Sequence, residues 1–254
     1  MISEKRRALL VQELNDKGYI QVTESAEKFE VSSVTIRRDL STLENEGLCL
    51  RKRGGAVRTS QGVTFEPSYD VKRMRFTEEK MRIAEEASKL VDEGDTLILD
   101  AGSTTYALSL KLLHKQRITA VTNDLQIAVR LAASPNINLI CTGGSARPNV
   151  FSLQGSQTEA FIKNLRVEKT FLGADAIHAD GTISNVNIDE VPIKQAMIKA
   201  ANQVILLTDS SKFEKSGFAK VCGLSQIDMI ITDRGLSPEK LEMIRSKEIP
   251  VVCV

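Results

Sequence analysis

The chain has 254 residues, 42% of them apolar, which suits one or two domains with a sizeable core. Its 34 Lys and Arg against 33 Asp and Glu leave a net charge of +1, which excludes a polycation that binds nucleic acid indiscriminately. Four scattered cysteines without a C-x-x-C pair and two isolated histidines point to reduced structural thiols, with no metal site and no disulfide framework.

The first ten residues, MISEKRRALL, are charged and never become the apolar run of a signal peptide, and no later run approaches the ~20 apolar residues of a membrane span, so a cytoplasmic protein with no membrane partner is expected. Residues 3 to 16 read as a helix, with Leu10 and Leu14 at four-residue spacing and Gly18 as its stop. Val22 to Phe29 reads as a short second helix, capped by Thr23, with Ala26 and Phe29 turned inward. Val31 to Gly47, VSSVTIRRDLSTLENEG, reads as a third helix capped by Ser32 and ended by Gly47. Ile36, Leu40 and Leu43 form its apolar stripe, while Asp39, Glu44 and Glu46 suit a solvated face.

Ser33, Thr35, Arg37, Arg38 and Ser41 fall on the other faces of that third helix, which suits DNA: guanidinium groups pair with phosphates or guanine edges, and short side chains permit close approach. LCLRKRGGAVR then reads as a hairpin, Leu48 to Arg51, a turn around Gly54-Gly55, and Ala56-Val57. Residues 51 to 58 carry Arg51, Lys52, Arg53 and Arg58 with no acid. Together these make a winged helix-turn-helix over residues 1–58. The stretch VSSVTIRRDLSTLENEGLCLRKRGGAV resembles the amino-terminal domain of the DeoR family of bacterial transcription regulators, with Arg53 where family members often carry His before the two glycines.

Periodicity disappears over 59–74, interrupted by Gly62 and Pro67, and this segment is read as a linker. From 75 to 254 the pattern alternates. Helices are expected from Thr77, over Ser103–Leu113, Asp124–Ala133, Val191–Ala201 and Pro238–Ser246. Strands are expected at Thr96–Asp100, Ile118–Thr122, Ile137–Cys141, Lys169–Leu172, Val204–Thr208, Met229–Thr232 and Val251–Val254. Alternating strand and helix means an α/β fold, a parallel sheet with helices on both faces.

Ligands of such sheets bind beyond the carboxyl ends of the strands. There the chain offers Asp100-Ala101-Gly102-Ser103-Thr104-Thr105 opening onto a helix start that favours an anion, then Thr122-Asn123-Asp124, Thr142-Gly143-Gly144-Ser145, Gly173-Ala174-Asp175, and Asp209-Ser210-Ser211-Lys212 with its cation. Five turns of one chemical character favour a polar, phosphate-sized ligand. Neither G-x-G-x-x-G nor G-x-x-x-x-G-K-[ST] occurs, which disfavours dinucleotides and ATP, and no cofactor is assigned.

DAGSTT, TND, CTGG, FLGADAI and LLTDSSKF resemble the carboxy-terminal sensor domain of DeoR regulators, similar in fold to ribose-5-phosphate isomerase and glucosamine-6-phosphate deaminase. The resemblance implies a sugar-phosphate-like effector, with Gly102, Ser103, Thr104 and Thr105 as phosphate cradle, Asp100, Asn123, Gly143, Gly144 and Asp175 as rim, Lys212 as cation and Lys194 as a lesser candidate. Isomerases of this fold continue G-A-D with Glu and then a glycine-rich loop, whereas this chain has Ala176 and no such loop, with Asp189 and Glu190 as the nearby acids. No catalytic residue is assigned.

The reading is therefore a sequence-specific DNA-binding repressor of a sugar or sugar-acid operon, released from double-stranded operator DNA by a phosphorylated sugar effector, and acting as a homo-oligomer, dimer or tetramer. The alternative is a sugar-phosphate isomerase or deaminase that carries a DNA-binding domain.

Overall fold

The computed structural model describes residues 3–58, 63–64 and 66–254. The chain divides into two compact units, Met1–Arg75 and Phe76–Val254.

In the first unit α1 (Ser3–Lys17) leads through Gly18, whose φ of +80° turns the chain, into β1 (Tyr19–Gln21) and α2 (Val22–Lys28). After a tight connection come α3 (Ser33–Asn45), β2 (Cys49–Lys52), β3 (Gly55–Arg58) and α4 (Tyr69–Met74). Ser32 caps α3 as expected, its Oγ accepting from the Thr35 amide at 3.1 Å. Leu10, Leu14, Ile20, Phe29, Ile36, Leu40 and Leu43 meet in one buried cluster.

Several expectations are corrected here. Thr23 lies inside α2, whose N-cap is Gln21 with no side-chain bond. The hairpin gains a third strand, in the order β1-β3-β2, and this explains the glycine pair. Gly54, at φ +88°, makes the turn, whereas Gly55 lies in β3 so close to β1 that a Cβ there would sit 1.9 Å from the Ile20 carbonyl oxygen. The segment read as a linker holds α4, whose Val71 joins the same core; residues 59–62 and 65 lie outside the described residues.

Asp39 is the largest departure. It is buried, and its carboxylate takes Arg6 Nε at 2.5 Å and Arg6 Nη2 at 3.3 Å, with Arg7 Nη1 at 3.9 Å. Standing three residues after Ile36, it falls on the edge of the apolar stripe, so an acid there must meet a buried cation.

The second unit begins with α5 (Thr77–Ser88), β4 (Thr96–Leu99), α6 (Ser103–Leu112), β5 (Ile118–Thr122), α7 (Leu125–Leu131) and β6 (Ile137–Cys141). A small hairpin of β7 (Ser145–Ala146) and β8 (Leu153–Gln154) precedes α8 (Ser156–Lys163) and β9 (Val167–Leu172). Then come β10 (Ala176–Ile177), β11 (Thr182–Asn185), α9 (Val191–Ala200), β12 (Ala201–Leu207), β13 (Ala219–Gly223), β14 (Met229–Thr232), α10 (Pro238–Arg245) and β15 (Val251–Cys253).

Seven of these strands form a sheet in the order β15-β14-β12-β9-β4-β5-β6, with every neighbouring pair parallel. This is the expected α/β sheet. The chain adds strands outward from β4 to β6 and then returns to the other side of β4 with β9, so the strand order reverses between β4 and β9. The short antiparallel sheet β10-β11-β13 and helix α8 were not foreseen; their pieces are too brief to show a period. Ile98, Leu172, Ile183, Met197, Leu206 and Ile230 anchor the core.

Because breaking a buried pair by removing one partner costs about 3–5 kcal/mol, Asp39→Ala should weaken the first unit by that order. Hydrogen exchange of the full chain should show faster exchange in peptides from α1 and α3, with those from β4 and β9 unchanged. Exchange in α1 and α3 at the parent rate would show the pair to be dispensable.

Candidate functional site

In the first unit the candidate interface is the outward face of α3 with the wing. Arg37 and Arg38 are exposed, and their guanidinium groups enter no ion pair among the described residues. The hydroxyl groups expected beside them are already engaged. Thr35 Oγ1 lies 2.9 Å from Ser32 Oγ in the cap, and Ser41 Oγ donates to the Arg37 carbonyl at 3.0 Å while accepting from Arg51 Nη1 at 2.7 Å. Ser33 is half-buried. The Arg51 amide also donates to Glu44 Oε1 at 2.8 Å, so strand β2 is tied to the side of α3. Arg51, Lys52 and Arg53 are exposed along the wing. Two arginines on the helix and three cations on the wing form a cationic surface, matched to a phosphate backbone.

In the second unit the parallel sheet brings the turns after β4, β5, β6, β9 and β12 to one rim, as the strand order requires. At the reversal point Asp100 is fully buried. Its Oδ2 accepts from Lys194 Nζ and, at 2.8 Å, from the Gly173 amide, while Lys194 Nζ also donates to the Gly173 carbonyl at 3.1 Å. One ammonium thus joins helix α9 to the turns after β4 and β9. Burial opposes its charge, but the carboxylates of Asp100, Glu190 and Asp175 outweigh that and hold Lys194 above the usual lysine range. Expected only as a lesser candidate, Lys194 is the buried centre.

The Thr122-Asn123-Asp124 turn consumes the amides of the neighbouring loop. Asn123 Oδ1 accepts from the Ala101 amide at 3.0 Å and Asp124 Oδ2 from the Gly102 amide at 3.2 Å. Asp124 Oδ1 caps α7 through the amides of Gln126 and Ile127, at 2.7 and 3.0 Å. Burial pushes the Asp124 carboxyl up to about 7, against the pull of its three amide donors.

In α6 the first amide bonded within the helix is that of Tyr106, to the Gly102 carbonyl at 2.9 Å. The amides of Ser103, Thr104 and Thr105 therefore have no carbonyl behind them in the helix, which leaves the start of α6 receptive to an anion. Thr105 is completely buried with its hydroxyl on the Gly102 carbonyl at 2.9 Å, so it contributes only backbone.

Gly143 and Gly144 are exposed with φ of +72° and +112°; a Cβ on Gly144 would meet Thr158 Oγ1 at 2.1 Å. Asp175 is half-buried and accepts from the Val186 amide at 3.1 Å. Lys212 is half-buried beside Asp209; burial would raise the Asp209 carboxyl, but the charges of Lys212 and Lys80 hold it below the usual range.

Glu190 belongs to this site although sequence reasoning left it aside. It accepts from Arg147 Nη1 at 2.7 Å, Ser152 Oγ at 2.5 Å and Asn185 Nδ2 at 2.7 Å, and so fastens the β7-β8 hairpin and strand β11 beside α9. Its spacing of four residues from Lys194, across the start of α9, was the available signal. Arg147, Ser152 and Asn185 carried none.

Residues 6–62 match the family described as the DeoR-like helix-turn-helix domain, and residues 75–234 match the DeoR C terminal sensor domain. The glycerol-3-phosphate regulon repressor of Escherichia coli K12 is 34% identical over 92% of this chain and 92% of its own length. The HTH-type transcriptional regulator GolR of Listeria innocua is 32% identical over 99% of this chain and 98% of its own length. Among solved structures, ribose 5-phosphate isomerase A from Methanocaldococcus jannaschii overlaps 54% of this chain and 55% of its own, with 19% identity and a TM-score of 0.41, too partial an overlap to bear on chemistry.

The buried Asp124 gives a pH signature. The unfolded carboxyl releases its proton near 3.8 and the folded one near 7, so the native state holds the extra proton between those values. The stability this contributes is fully present below about pH 4 and is lost as pH rises to 7. Asp124→Asn has no proton to release. In urea unfolding followed by circular dichroism, the parent-minus-variant difference in unfolding free energy should shrink from pH 4 to 7.5. A flat or growing difference would mean that the carboxylate is ionised throughout.

Proposed function

The chain belongs to the DeoR family of helix-turn-helix transcription regulators, and from that premise we propose that it represses a sugar or sugar-acid catabolic operon until a phosphorylated sugar binds its second unit. It is a DNA-binding regulator with a C-terminal sensor domain. One observation carries the effector reading: the start of α6, with three amides facing no helical carbonyl, opens at the rim where the strand order reverses, and Lys212 brings positive charge to that rim.

Ser103 and Thr104 with the Thr105 amide cradle the phosphate, and Gly143, Gly144 and Asp175 contact the sugar. Asp100, Asn123 and Lys194 act from behind, by setting the shape of the loops. The glycerol-3-phosphate regulon repressor is named for the regulon of a small phosphorylated polyol, and a ligand of that chemistry is the one expected here.

The second unit senses and does not turn over its ligand. Moving a proton between sugar carbons needs a base with a lone pair to spare. Lys194 is committed to Asp100 and Gly173, and although burial would raise the Glu190 carboxyl, the charges of Lys194 and Arg147 hold it below its usual range, which makes it a weak base. Operator DNA as the partner puts the protein in the cytoplasm. It works as a homo-oligomer, because one winged helix covers too little DNA for usual operator affinities.

Replacing Arg37 and Arg38 together by Ala should remove specific operator binding, at about 1–3 kcal/mol for each base-reading contact, and flatten the salt dependence of what binding remains. Electrophoretic mobility of an operator-sized duplex measures it. Parent-like affinity in the double variant would refute the assignment of α3.

An effector releases the operator only by preferring the DNA-free state, and coupling of about 1–3 kcal/mol corresponds to a 5- to 150-fold loss of operator affinity at saturation. Lys212→Ala should keep operator affinity and lose response to sugar phosphates. Operator titrations at saturating sugar phosphate decide this, and a variant released as readily as the parent would move the phosphate site elsewhere.

A further inference from the structure

The most exposed large apolar side chain of the recognition helix is Val34, at 70% of its full accessibility. It is the second residue of α3, and the exposed residues of that helix are Val34, Arg37, Arg38 and, at its far end, Asn45. At about 100° per residue, Arg37 lies about 60° to one side of Val34, Arg38 about 40° to the other, and Ser41 about 20° away. The valine therefore stands in the middle of the cationic sector.

Solubility does not call for an aliphatic group there, and it does nothing for the core. Of the hydroxyls near the arginines, Ser41, in the same sector, is spent on Arg37 and Arg51, and Thr35, at its border, on Ser32, while Asn45 shares the sector only at the far end of the helix. What α3 presents outward at its amino-terminal end is two guanidinium groups and two methyls. The first turns of a recognition helix are the part that reaches base edges. In the major groove the one apolar feature is the C5-methyl of thymine. A β-branched side chain holds its methyls in one rotamer on a helix, so little entropy is lost on contact.

We propose that Val34 is a specificity residue that reads a thymine by packing its methyls on the base's C5-methyl, between the contacts made by Arg37 and Arg38. This rests on the reading of α3 as the recognition helix, and the test separates the two.

The full chain is first used to select its preferred duplex from a random library. Each thymine of that duplex is then replaced, one at a time, by deoxyuridine, which lacks only the C5-methyl. The parent should lose about three- to tenfold in affinity at one or more thymines, the order expected for burying one methyl. Val34→Ala should bind the thymine duplex more weakly and lose the discrimination at those same positions. Val34→Thr, which keeps the branch and one methyl, should retain part of it. If the parent selects no sequence, the recognition-helix reading itself fails. If the parent selects a sequence but no deoxyuridine weakens binding, or if Val34→Ala discriminates as the parent does, Val34 reads no thymine and the proposal falls.

Discussion

The ammonium of Lys194, buried between Asp100 and Gly173, is the contact on which the second unit depends. A charge removed from water is tolerated only where partners surround it, so the turn after β4, the turn after β9 and helix α9 must meet at one point. That point coincides with the reversal of strand order, where an α/β sheet opens its crevice. From there the network spreads. Glu190 lies one helical turn before Lys194 and gathers Arg147, Ser152 and Asn185, so the β7-β8 hairpin and the small antiparallel sheet are set against the same centre.

The second consequence concerns which groups remain for a ligand. The Asn123 and Asp124 side chains occupy the amides of Ala101 and Gly102, and Asp100 occupies that of Gly173. Groups bound in this way are spent on the shape of the rim. What remains is the start of α6, whose first amides face no helical carbonyl, and the exposed Gly143-Gly144 turn, where Gly144 has no room for a side chain. A site made mostly of backbone amides suits a phosphate, because amides present partial positive charge without desolvating a full one.

The first unit follows the same rule on a smaller scale. Arg6 and Asp39 bind α1 to α3 through a buried two-point contact, and Arg51 binds the wing to its outer side through Ser41. The helix is thus held on both flanks while Arg37 and Arg38 stay in solvent. Rigid placement of a reading surface lowers the ordering cost of binding.

Much of this was legible in the residues themselves. The Ser32 cap, the Ile36-Leu40-Leu43 stripe and the strands Ile118–Thr122, Ile137–Cys141 and Met229–Thr232 stand where the pattern put them, because capping and periodicity are properties of contiguous chain. The five polar turns after β4, β5, β6, β9 and β12 were likewise visible, since parallel strands must end at a common edge. Tertiary structure alone decided the rest. Asp39 looked solvated until Arg6, 33 residues away, was folded onto it. Lys194 looked like a lesser candidate until it was folded onto Asp100, 94 residues away. Gly55 looked like part of a turn until β1 came within reach of its Cα. In each case the deciding partner is remote in sequence, and the pairing of buried charge and the close approach of two backbones exist only once the chain has closed on itself.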